Sequence, residues 1–212
     1  MGLAWATGLD QGPEDWVTQA AADAPVNEPL TIEEAGRQVR MSASQIIAST
    51  EDLTDAITAA RQIGETWMGR RFITQTVDWV RNRFPCGAIS LPFANVTAIV
   101  SITYIDTAGA TVTLAADQYR AVLPVGAKCA RGRLEPAYGV TWPATRAVIG
   151  AVTIRMTAGY GPTGADVPAA IKTGMKALIA HWDRSREAVN VGNITSELPF
   201  GVKWAWWPFR TY

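Results

Sequence analysis

The chain has 212 residues, is 48% hydrophobic, and carries 19 Lys plus Arg against 19 Asp plus Glu, a formal net charge of zero. That is enough apolar material for one domain of ordinary core size, and a neutral chain has no electrostatic pull towards nucleic acid or an anionic membrane. Two cysteines, Cys86 and Cys129, make no disulfide framework, and no apolar run approaches the ~20 residues that span a bilayer.

Residues 1–28 mix Gly, Pro, Ala and acids without a period and read as an arm with little structure of its own. The start, MGLAWATGLDQGPEDW, lacks the basic-then-apolar pattern of a secretory signal, so the expectation is a chain made and used in a reducing cytoplasm. Thr31 and Glu34 have capping-box spacing and open a short helix that ends near Arg40. Ser49 or Thr50 caps a second helix, whose face Leu53, Ile57, Ala60, Gly64, Trp67 and Met68 recurs at helical spacing up to Gly69.

From Arg71 the period becomes two. Ile73, Val77 and Trp79 share one strand face, and Val96, Ala98, Val100, Ile102 and Tyr104 another. Asp106–Thr111 reads as a hairpin turn into Thr111–Leu114, followed by strands near 118–122 and 133–135. Val152, Ile154, Met156 and Ala158 alternate with polar residues, as in an antiparallel sheet with one buried face. The last helix starts at Pro168, whose missing amide costs nothing there, and runs to about Arg186 with the stripe Ile171, Met175, Leu178, Ile179 and Trp182. The order predicts an α+β chain: a small helical bundle with an inserted antiparallel β-rich domain and extended N- and C-terminal arms. Its segments are an arm at 1–28, helices at 29–70, the β-rich insertion at 71–160, the returning helix at 161–187 and a tail at 188–212.

Gly159-Tyr160-Gly161-Pro162-Thr163-Gly164 is a literal G-x-G-x-x-G between a strand and a helix, the pattern of a dinucleotide-binding turn. A nucleotide-dependent enzyme built on Gly159–Gly164 is therefore one reading. Against it, Pro162 removes an amide from the loop, Pro168 starts the helix beyond the motif, and no parallel strand follows. A Gly/Pro turn joining an antiparallel strand to a helix explains the residues.

Little else carries chemistry. His181, Asp183 and Ser185 lie on one helix and point in different directions, so they make no triad. Cys86 and Cys129 lack metal spacing. Acids 33, 34, 51, 52 and 55 sit at helix starts, where the helix dipole accounts for them. Arg70, Arg71, Arg81 and Arg83 suit either phosphate, making a small DNA-binding module another reading, or a solvated sheet edge, which the balanced charge favours. No catalytic residue, cofactor or metal is expected.

The tail is different. Phe200, Trp204, Trp206, Trp207, Phe209 and Tyr212 fall within 13 residues, and after Glu197 there is no acid while Lys203 and Arg210 remain. Two readings fit: the tail folds back onto its own core, or it anchors another protein through aromatic hot spots. On the second, residues 198–212 lie outside the fold and are removable without loss of it.

The chain resembles the head–tail connector (adaptor) proteins of long-tailed phages and phage-like gene transfer agents. The similar segments are EPLTIEEAGRQVR (28–40), DLTDAITAARQIGETWMGRRFITQTVDWVRNRFP (52–85), ISLPFANVTAIVSITYID (89–106), EPAYGVTWPATR (135–146), VTIRMTAGYGPTGADVPAAIKTGMKALIAHWDRSREAV (152–189) and ELPFGVKWAWWPFR (197–210). Their order and spacing carry the likeness. It implies a structural, non-enzymatic protein of the virion or gene transfer agent particle, assembled in the bacterial host cytoplasm. It implies a dodecameric ring between the portal protein and the neck or tail-completion (stopper) protein, with DNA passing through the lumen without sequence-specific binding. It also implies that the C-terminal segment docks on the portal, which makes Phe200, Trp204, Trp206, Trp207, Pro208, Phe209, Arg210 and Tyr212 the candidate site. The family has aliphatic residues where Trp204, Trp206 and Trp207 stand, while the ending Pro208-Phe209-Arg210 fits. The long N-terminal arm departs from the family.

Overall fold

The computed structural model describes residues 16–21, 25–184 and 198–211. They fall into two compact units. One takes in residues up to Ala24, Gln75–Val125 and Cys129–Ala158; the other takes in Pro25–Thr74, Gly126–Lys128 and Gly159–Tyr212.

Among the described residues, the first unit is built of β-strands with one 3-10 turn at Ala116–Gln118. Its five-stranded antiparallel sheet runs β1 (Trp16–Ala21), β2 (Gln75–Arg81), β8 (Val152–Ala158), β4 (Val96–Ile105), β5 (Thr111–Thr113). Three further strands, β3 (Ile89–Ser90), β7 (Arg133–Pro136) and β6 (Tyr119–Val122), form a second sheet. The strict alternation of β2 and β8 puts Val77 opposite Met156 and Trp79 opposite Ile154, all fully buried. Ile89 and Leu134 from the second sheet join that core.

Two expectations fail here for backbone reasons. Residues 16–21 are a strand within the presumed arm, paired with β2 through main-chain groups that any sequence supplies. In β4, register shifts between Val96 and Ala98 and between Ile99 and Ser101 reset the alternation, so Val100 is 56% exposed although Val96 and Ile102 are buried.

The second unit is helical: α1 (Ile32–Gln38), α2 (Ala43–Ala48), α3 (Thr50–Met68), α4 (Ala169–Arg184) and α5 (Phe200–Trp206). Thr31 and Glu34 form the expected reciprocal cap on α1. Ser42 and Gln45 cap α2 in the same way. That helix escapes a periodicity search because it is six residues long and buries none of them. Gly69 ends α3 in the left-handed region, with φ 66°, which a residue without Cβ adopts freely. The inward stripes of α1, α3 and α4 meet in a core of Ala35, Leu53, Ile57, Met68, Ile171, Met175 and Leu178. Burying aliphatic side chains of this size contributes about 1.5–3 kcal/mol each.

A buried charge cluster ties α3 to the chain on either side. Glu65 accepts from the Phe72 amide at 2.8 Å and pairs with Arg71 at 3.2 Å and Arg61 at 3.5 Å, and Arg61 also holds Glu28 at 2.8 Å. Burial pushes the Glu65 carboxyl up against the opposing pull of the Phe72 amide and the two arginines.

Candidate functional site

The glycine turn is the first candidate, and packing accounts for it. A Cβ on Gly159 would lie 2.3 Å from the Thr74 Cα, and one on Gly164 would lie 2.5 Å from the Pro29 carbonyl oxygen. The loop is laced to the neighbouring segment by Thr74 N donating to Gly161 O and Tyr160 N donating to Phe72 O. Where a phosphate would sit, the chain supplies its own anion. Asp166 Oδ2 accepts from the Thr163 amide at 3.0 Å and the Thr163 hydroxyl at 2.8 Å. Those hydrogen bonds hold the Asp166 carboxyl below the usual carboxylate range. A loop whose amide is already given to an internal carboxylate, and whose neighbour Pro162 has none, is no nucleotide cradle.

The arginines are not a solvated edge either. Arg70 and Arg81 are buried, Arg71 is paired with Glu65, and Arg83 alone of the four is exposed. Arg70 donates through Nε to the Phe209 carbonyl, and the Arg81 guanidinium lies 5.0 Å from the Trp79 ring centre. His181 is exposed on α4, Asp183 is half-buried, and Ser185 lies outside the described residues. Among the described residues, no three His, Cys, Asp or Glu are grouped to hold a metal ion.

That leaves the C-terminal segment, where the structure divides one aromatic cluster into two faces. The segment is not extended. Residues 200–206 form α5 and Trp207–Phe209 a single 3-10 turn, so side chains sort by helical position. Facing in are Val202, Trp206 and Phe209, at 1%, 0% and 5% exposure. Trp206 lies in a notch cut by two glycines. A Cβ on Gly174 would lie 2.1 Å from the indole Nε1, and one on Gly64 would lie 3.2 Å from the indole Cη2. The indole N–H donates to Ile171 O at 3.0 Å, which satisfies the one polar atom that burial would strand. Thr211 closes the end through two bonds to Met68 O. Residues 198–211 thus pack into the helical core, contrary to a tail removable without loss of fold.

Facing out are Phe200, Trp204 and Trp207, at 80%, 75% and 57% exposure and at i, i+4, i+7 spacing. The Phe200 and Trp204 rings stack with centres 6.2 Å apart. Trp207 lies 6.3 Å from Trp67, and the Arg210 guanidinium lies 4.8 Å from the Trp67 ring centre and 6.0 Å from that of Trp207. Pro208 is exposed between these groups, and Tyr212 lies outside the described residues. Exposed aromatics held on a backbone fixed from behind form a ridge of the kind that carries interface energy, because little side-chain or loop entropy remains to be lost. The sequence missed the division because the notch is made by Gly64 and Gly174, far from the tail; glycines inside helical stripes were the available signal.

No family model matches the chain, and no curated protein does. Solved structures do. A chain in the neck of an empty gene transfer agent (GTA) particle, computed with C6 symmetry, is 23% identical and superposes with a TM-score of 0.76 over 92% of this chain and 96% of that one. A chain in the virion of a native GTA particle gives 21% identity and a TM-score of 0.73, with the same coverage. A chain in the neck of a native GTA particle computed with C12 symmetry gives 21% and 0.70, again with that coverage. Almost the whole chain therefore has the fold of chains found in gene transfer agent particles and their necks, the α+β fold that the connector resemblance implies.

Proposed function

We propose that this chain is a structural protein of the neck of a phage-like particle, a connector that forms a ring between portal and tail-completion protein. The observation that carries the reading is fold likeness over 92% of the chain to proteins of GTA necks. The C6 and C12 symmetries of those assemblies support a homo-oligomeric ring of twelve copies. Closing such a ring needs a heterologous interface, and zero net charge leaves little repulsion between copies. DNA passes through the lumen without being read. The outward ridge of Phe200, Trp204 and Trp207, with Pro208 and Arg210 beside it, is the portal-attachment surface, while Trp206 and Phe209 hold it in place from the core. Twelve ridges acting together make modest affinity per copy sufficient.

The test is to mix the purified protein with portal rings and image the product. Rings of the protein stacked coaxially on portal are the expected result, and one or two copies per portal ring sink the reading. Calorimetry with NAD or ATP should give no binding heat at millimolar ligand; a micromolar dissociation constant would restore the nucleotide reading.

A further inference from the structure

The end of the C-terminal segment is seated on one short stretch of chain, residues 64–72. Met68 O accepts both the amide and the hydroxyl of Thr211, at 3.1 and 3.0 Å. Arg70 Nε donates to the Phe209 carbonyl. The Trp67 ring lies 6.3 Å from that of Trp207 and 4.8 Å from the Arg210 guanidinium, both on the outward face. Phe72 closes on Gly64, where a Cβ would lie 2.8 Å from the Phe72 Cζ and 3.2 Å from the Trp206 Cη2. The other end of the ridge is held separately, by Trp206 at Gly174 and Ile171 O of α4, so the seat can loosen without releasing α5.

From Gly69 onward the seat is no longer helix, so no i to i−4 ladder fixes it. Glu65 supplies the acceptors instead. Its backbone carbonyl takes the amides of Gly69 and, at 3.1 Å, Arg70. Its carboxylate takes the Phe72 amide at 2.8 Å and the Arg71 guanidinium at 3.2 Å. Arg61, itself held by Glu28 at 2.8 Å, braces the same carboxylate at 3.5 Å. Glu65 and Arg70 are 2% and 1% exposed, so neither reaches a partner. A charge network this buried is a costly way to stabilise a fold, since apolar residues of like volume often do as well; its better-attested use is to fix one arrangement among several. We infer that Glu65 and Arg70 are positioning residues of the attachment ridge. Glu65 sets the bend, Arg70 and Met68 O tie Phe209 and Thr211 to it, and Trp207 and Arg210 are thereby presented beside Trp67. The inference rests on the ridge being an attachment surface.

The test pairs hydrogen exchange in the full chain, followed by NMR, with titration of portal rings. Glu65→Gln and Arg70→Met should each speed exchange of the Thr211 amide and weaken attachment to portal, both by about tenfold, as expected for lost hydrogen bonds to charged groups. The Trp206 indole N–H should exchange as in the wild type, because its anchor lies on α4. Leu53→Ala, at the start of α3, opens a core cavity away from the seat, so it should lower the melting midpoint yet attach within about twofold of wild type. Thr211→Val lies outside the charge network and keeps the test decisive should the buried-charge variants fail to fold. It removes one of the two bonds to Met68 O and should weaken attachment about threefold. Thr211 exchange that stays at the wild-type rate in the seat variants overturns the inference, and so does a Leu53→Ala protein that loses attachment as fully as they do, since stability alone would then explain the effect. Seat variants that loosen Thr211 but attach like wild type sink this inference alone. A variant with Phe200→Ala and Trp204→Ala that attaches normally sinks the portal assignment instead.

Discussion

The two faces of the C-terminal segment are made from the same residue types and meet opposite fates. Trp206 is fully buried and Phe209 nearly so, while Trp204 and Trp207, two residues before and one after Trp206, stand in solvent. Aromatic density in a sequence therefore does not separate core from interface. What separates them is whether the rest of the fold has left a hole of the right shape. Here two glycines cut the hole and the Ile171 carbonyl meets the indole N–H inside it.

The sharpest way to break the comparison is to remove both faces. Deleting residues 198–212 takes Val202, Trp206 and Phe209 from the core and leaves their notch open, so the helical unit should lose its cooperative melt. A truncated protein that melts like the full chain would mean that the inward face contributes nothing. Next is Trp206→Ala, expected to cost about 3–5 kcal/mol from lost burial and the cavity left behind, read as a lower midpoint in denaturant. Gly174→Ala is the more discriminating test. In an unobstructed helix interior this change stabilises by about 0.5–1 kcal/mol. Against the indole it should instead destabilise by about 1–3 kcal/mol, as overpacking does, so the sign reports whether the notch is real.

A control outside the helical unit sets the scale for an ordinary surface contact. On the neighbouring strands β2 and β8, Arg155 donates two 2.7 Å bonds to Asp78, and this holds the Asp78 carboxyl below its usual range. A carboxyl whose value is lowered by folding contributes stability above its unfolded value, and that contribution is lost as pH falls below about 4. The pair is partly exposed, so Asp78→Asn should cost about 0.5–1 kcal/mol at neutral pH and nothing once both states are protonated; denaturant midpoints at two pH values check this. Smallest is the outward face. Phe200→Ala and Trp204→Ala should each change stability by less than about 0.5 kcal/mol while portal attachment, measured by co-sedimentation with heads, is lost.

Local chemistry was legible wherever it acted over a few residues. The Thr31–Glu34 box, the Gly69 stop, the Pro168 start and the alternation of 152–158 all declare themselves, because the partners lie within one turn or one strand. What stayed hidden depends on remote backbone. β1 makes ladder bonds that carry no side-chain pattern, and the resets in β4 leave its composition unchanged. The hollow lined by Met41, Leu53 and Ile179 is read from no single stretch of the sequence, since residues near 40, 53 and 180 build it together. Arg70 and Arg81 looked like a wet edge because charge suggests solvent, yet a Phe209 carbonyl and the Trp79 ring give them partners inside.

The arrangement of the tryptophans also makes the protein its own optical probe. Trp206 sits in a dry site with its indole N–H tied to a carbonyl, an environment that gives short-wavelength emission, whereas Trp204 and Trp207 face water and emit to the red. Any partner that covers the ridge dries Trp204 and Trp207 and moves their emission towards that of Trp206, whereas unfolding moves Trp206 the other way. Engagement of the ridge and loss of the core therefore shift the same spectrum in opposite directions, without a label.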